Sequence, residues 1–106
     1  MFDFKWSHAE KRLARELFER ALQAELSETV AEFKARAAAV TSPEEMWDLR
    51  GFLANRQREI DEKYDYRYSQ LLSVFSRLIR EGRLREEEVA GLSEEKLSLI
   101  KRHLSL

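Results

Sequence analysis

The feature that most restricts this chain is the absence of any Gly or Pro before Pro43, across a stretch whose apolar residues repeat at helical intervals. Phe18, Leu22, Leu26, Val30, Phe33, Ala37 and Val40 follow one another at steps of four, four, four, three, four and three. Such steps keep side chains on one face of a 3.6-residue helix. Ser7-His8-Ala9-Glu10 supplies a start, because a serine hydroxyl can accept from an early helix amide while a glutamate three residues later reaches back to the cap. A helix is therefore expected from about His8 to Val40. Leu13, Leu17, Ala21 and Ala24 add a neighbouring stripe, so the apolar face needs covering from more than one side.

Length turns this into an expectation about assembly. A straight helix over residues 8–40 would be about 50 Å long at ~1.5 Å per residue. A compact sphere of a chain this size would be only ~34 Å across, from a radius of gyration of ~13 Å. The overhang still carries Leu26, Val30, Phe33 and Val40, and a second copy packed along the same helices with two-fold symmetry would cover them. The expected architecture is all-α: one domain over residues 1–106, with a long helical hairpin stem over about 7–63 and a small helical head over about 64–106, paired as an elongated homodimer.

Later punctuation fits that scheme. Ser42, Pro43 and Glu45 read as cap, first helical position and third residue of a second helix. That helix carries Met46, Leu49, Leu53, Ile60 and Tyr64, with Gly51 as a weak or closely packed turn. Tyr64, Tyr66 and Tyr68 alternate as a strand would, but Leu71, Leu72, Val74, Phe75, Leu78 and Ile79 return to helical spacing, so a helix with a break near 64–69 is expected. Gly82 reads as a stop, a short acidic helix begins near Glu86 and ends at Gly91, and Ser93 caps a last helix through Leu97, Ile100 and Leu104.

Composition excludes several classes of chemistry. The chain has no Cys, which removes thiol nucleophiles, disulfides and Cys-based metal sites. Nineteen basic residues against twenty acidic ones give a net charge of −1, so no long-range field draws the protein to nucleic acid or an anionic membrane. No apolar run approaches ~18 residues and charges interrupt the first six, so neither a membrane span nor a secretory signal is expected, and the location is read as cytoplasmic.

The constellations that could carry catalysis are missing. His8 and His103 lie near opposite ends, neither has a Glu three residues before it, and no Gly-rich phosphate loop or nucleophile elbow occurs. No enzyme activity, cofactor or metal is expected. Glu16, Glu19, Glu25, Glu28 and Glu32 interleave with Arg15, Arg20, Lys34 and Arg36, as on a solvated helix face. The stretch Arg56 to Tyr68 mixes basic and aromatic residues, but its charges cancel, and phosphate affinity needs a surplus of cations. A small surplus at Arg77, Arg80, Arg83 and Arg85 leaves an RNA-binding edge as the rival reading. Trp47, beside Met46 and Asp48, either anchors a protein interface or fills the space between helices near the Pro43 turn.

Together these segments resemble the fluorescence recovery protein family. The likeness runs from Trp6-Ser7 through Leu17-Phe18, Gln23, Glu25-Leu26, Trp47-Asp48-Leu49 and Phe52-Leu53. Its most specific part is Glu59-Ile60-Asp61-Glu62-Lys63-Tyr64-Asp65-Tyr66-Arg67, followed by Val74-Phe75, Leu78 and Glu81-Gly82. The resemblance implies a helical dimer that binds the photoactivated orange carotenoid protein, chiefly its C-terminal domain, and speeds its return from the red to the orange form, restoring light harvesting. Arg50 and Gly51 stand where the family usually has a His and an Asp, Gln57 stands between Arg56 and Arg58 where it has an Arg, and Ser73 replaces a Phe. The interface residues expected on this basis are Trp47, Arg50, Phe52 and Arg56. The alternative is a related scaffold or interaction protein of a non-photosynthetic bacterium with a different client.

Overall fold

A computed structural model describes residues 5–106. It is all-α among those residues: α1 runs His8–Ala39, α2 Pro43–Lys63, α3 Leu71–Arg80 and α4 Glu94–Leu104, with a 3-10 turn at Glu86–Val89 between the last two. α1 is 32 residues long. The capping box forms as read: the Ser7 hydroxyl accepts from the Glu10 amide at 3.1 Å, and Glu10 accepts from the Ser7 amide at 3.0 Å. At α2 the Ser42 hydroxyl accepts from the Glu45 amide at 3.2 Å, while the Glu45 carboxylate turns instead to the Thr41 amide at 3.0 Å.

The chain divides into two compact units, one comprising the residues up to Ala21 with Asp65–Leu106, the other Leu22–Tyr64. In the first, Ala14, Leu17, Phe18 and Ala21 of α1 are buried, as are Leu71, Leu72, Val74, Phe75 and Leu78 of α3, Leu84, Val89 and Leu92 of the connector, and Ile100 of α4. Each such Leu, Ile or Phe removed from water contributes about 1.5–3 kcal/mol. Gly82 takes φ +75°, the left-handed conformation that ends α3 with its amide donating to the Ile79 carbonyl at 3.0 Å. The short acidic segment after it is a single 3-10 turn and not an α-helix. Gly91 does more than stop it, since a Cβ there would lie 2.9 Å from Leu13 Cδ2.

A buried ion pair ties the ends of this unit. Lys96 Nζ lies 3.2 Å from Glu10 Oε1, donates to the Lys5 carbonyl at 2.8 Å, and sits 4.9 Å from the centre of the Trp6 ring. Glu10 Oε2 also accepts from the Ser93 amide at 2.9 Å, so one carboxylate caps α1 and fixes the entry to α4. Burial pushes the Glu10 carboxyl upward, but hydrogen bonds from Ser7, Ser93 and Lys96 outweigh it and hold it below the ordinary carboxylate range.

The second unit is a helical hairpin made from the distal part of α1 and all of α2. α2 is continuous through Gly51, which is exposed with open space where a Cβ would lie, so of the two readings, a weak turn or a closely packed one, close packing does not occur. Tyr64 lies just beyond α2 as its C-cap, its amide donating to the Ile60 carbonyl. The break over residues 64–70 is irregular chain and a turn, with no strand, as the return of helical spacing at Leu71 required.

Candidate protein-binding surface

Within the hairpin unit, where Ile60 is the buried apolar residue of α2, a ladder of polar contacts joins the two helices. Lys63 Nζ lies 2.6 Å from Glu25 Oε1, and the Tyr64 hydroxyl donates to the same oxygen at 2.7 Å. Seven residues farther along α1 and seven back along α2, Arg56 Nη1 lies 3.0 Å from Glu32 Oε2 and donates to the Thr29 hydroxyl at 3.4 Å. Four more residues in the same sense bring the Arg36 guanidinium over the Phe52 ring at 4.1 Å, with that of Arg56 at 5.0 Å. Matched steps of seven and four on antiparallel helices define one register. Glu32 accepts from Arg36 and Arg56, and these contacts hold its carboxyl below the ordinary range.

This ladder corrects the expectation that the α1 glutamates form a solvated face. Glu25 is only 9 % exposed, and it is part of the seam between α1 and α2. The periodicity of charge could not reveal this, because its partners Lys63 and Tyr64 are 38 and 39 positions away.

Polar contacts take up one side of distal α1 and leave its apolar stripe open. Leu26, Val30 and Phe33, at steps of four and three, share one face, and Val30 is 53 % exposed. On α2, Met46 and Trp47 are also open, Trp47 at 60 %. Trp47 therefore does not fill the space between the helices of this unit. Exposed large apolar side chains gathered in a unit with a scant core mark an interaction surface.

The four residues expected at an interface separate into two pairs. Phe52 and Arg56, four apart, are half-buried and committed to the α1 contacts just described. Trp47 and Arg50, three apart, are exposed, and helical geometry sets Trp47 about 140° around α2 from Phe52. Sequence reasoning had assigned Leu26, Val30 and Phe33 to a stripe that a second copy would cover, but it did not single out Met46, whose exposure the structure reveals. The basic edge of the rival reading is largely neutralised: Arg77 lies 3.0 Å and Arg83 3.5 Å from Glu81, and Arg85 3.6 Å from Glu88. No helix among the described residues is long and apolar enough to cross a membrane.

Fold and surface thus define a small helical protein with large apolar and aromatic side chains exposed on its hairpin unit. Residues 6–103 match the model of the photoprotection regulator fluorescence recovery protein, and the chain belongs to that family. It is 41 % identical over 96 residues to the fluorescence recovery protein of Synechocystis sp. strain PCC 6803, a match covering 91 % of this chain and 88 % of the relative. The solved structure of that Synechocystis protein superposes with a TM-score of 0.89 at 39 % identity, covering 96 % of this chain and 100 % of that one. The Fremyella diplosiphon fluorescence recovery protein gives 0.88 at 34 % identity, with the same coverage.

Proposed function

We propose that this chain acts in photoprotection by binding the photoactivated orange carotenoid protein, chiefly its C-terminal domain, and accelerating its return from the red to the orange form. Family membership across residues 6–103 supports this reading. The observation that carries its physical side is the open stripe of Leu26, Val30 and Phe33 together with Met46 and Trp47. A second copy of the chain covers the stripe in a homodimer, and Trp47 and Arg50 extend the contact, with Phe52 and Arg56 holding α2 in place behind them. The action is non-enzymatic and takes place in the cytoplasm. A partner that binds the compact or transition-like arrangement of its client more tightly than the open one accelerates or favours closure without making a covalent bond.

The test is to mix the protein with photoconverted orange carotenoid protein and time recovery of the orange form, alongside sedimentation of the protein alone. Faster recovery and a dimer are expected. Unchanged recovery from a well-folded dimer favours the second reading, a different protein client. Arg50, Gly51 and Gln57, at positions where the family resemblance implies other residues, are what recommend that reading.

A further inference from the structure

The unit formed by the start of α1 with Asp65–Leu106 carries a second surface feature of different chemistry. An open groove of about 580 Å³ is lined by His8, Lys11, Arg12, Arg15 and Glu16 of α1 and by Tyr66 and Tyr68. Lys11 and Arg12 have no carboxylate within 4 Å among the described residues, and Arg15 has only the exposed Glu19, at 3.4 Å. In a chain of net charge −1, three permanent cations against Glu16 and Glu19 form a local positive patch.

We infer that this groove binds an acidic segment of a partner protein, with carboxylates on Lys11, Arg12 and Arg15. The inference deepens the protein-binding reading above and rests on it for the source of the segment. Three details favour an acidic peptide. From Lys11 to Arg15 the three cations follow one helix face for about 6 Å, a span that roughly three extended residues cover. They are spread along that line instead of converging on one point, which suits successive carboxylates better than a single small anion. The tyrosine rings are already in use: the Arg15 guanidinium covers Tyr66 at 3.7 Å, with Phe18 edge-on at 4.8 Å, while Tyr68 has Trp6 at 5.3 Å and Lys11 at 5.6 Å. The Tyr66 face that Arg15 covers cannot serve as a stacking platform for bases, which leaves the half-exposed Tyr68 as the groove tyrosine still open to one, so single-stranded nucleic acid has little to stack on. The stacked rings instead hold Arg15 and Lys11 along the groove, preordering them for ion pairing.

The test uses the full chain and a fluorescein-labelled hexaglutamate peptide, read by fluorescence anisotropy at low salt, with labelled hexauridylate in a parallel arm. The comparison is a K11E/R12E variant, whose two positions are exposed and outside the core. Saturable peptide binding is expected, at least tenfold weaker in the variant, with circular dichroism unchanged. Equal peptide affinity in the variant, or tighter binding of hexauridylate than of the peptide, overturns the inference. So does a change in sedimentation on charge reversal alone, since that makes a second copy the occupant. The peptide result stands apart from the carotenoid-protein assay: loss of recovery activity with peptide binding intact sinks the client assignment and leaves the groove.

Discussion

Replacing Lys63 with Met tests whether the polar ladder sets the register of the hairpin. The two side chains are 5 % and 11 % exposed and 2.6 Å apart, which places them among buried pairs. Removing one member of such a pair typically costs about 3–5 kcal/mol, because the other charge loses its compensation while remaining out of water. The Tyr64 hydroxyl still donates to Glu25 at 2.7 Å, so the lower end, about 3 kcal/mol, is expected for Lys63→Met. With a urea m-value of about 1.5 kcal/mol/M, the midpoint should fall by roughly 2 M. The assay is urea unfolding followed by circular dichroism at one fixed protein concentration, because association contributes to apparent stability. Glu25→Gln and the double variant E25Q/K63M complete a cycle. The double variant should recover most of the loss, giving a coupling of at least about 1.5 kcal/mol. Two single losses under 1 kcal/mol, simply adding in the double variant, would falsify the claim that this pair fixes the seam.

Other perturbations address the remaining features. Because the Glu10 carboxyl is held below its unfolded value near pH 4.3, its stabilisation is complete above that pH and is lost as pH falls through the lower folded value. Glu10→Gln should therefore cost about 2 kcal/mol at pH 7, and urea midpoints for variant and parent should converge at acid pH; a gap that stays constant contradicts the assignment. Gly82→Ala should cost about 1–2 kcal/mol from φ +75° alone, read as a lowered melting temperature. Trp47→Ala leaves an exposed site, so a dilute sample should unfold within about 0.5 kcal/mol of the parent, while dimerisation or client binding weakens by a few kcal/mol; sedimentation and recovery timing both unmoved would count against Trp47 as an anchor. Val30→Asp, on the open stripe, should shift the sedimentation equilibrium toward monomer at micromolar concentration.

Local signals sufficed for the helices and their ends. The Ser7 capping box, the Ser42-Pro43 start, Gly82 and the Ser93 cap each act within about one helical turn, so adjacent residues contain the whole cause. The return to 3.6-residue spacing after Tyr68 outweighed the alternating tyrosines because α3 buries Leu71, Leu72, Val74, Phe75 and Leu78 on one side. The family was legible too, since its segments occur in order along the chain.

What tertiary structure alone decided concerns pairs distant in sequence. Glu25 looked like its neighbours on a charged face, yet Lys63 and Tyr64 take it out of water. Phe52 and Arg56 stood beside Trp47 in the sequence, but α1 claims them and leaves the tryptophan open. Arg15 read as an ordinary cation of a solvated face until Tyr66 came alongside. Spacing determines which face of a helix a residue occupies; which faces meet depends on how packed helices pair, and that information is held jointly by segments no local window contains.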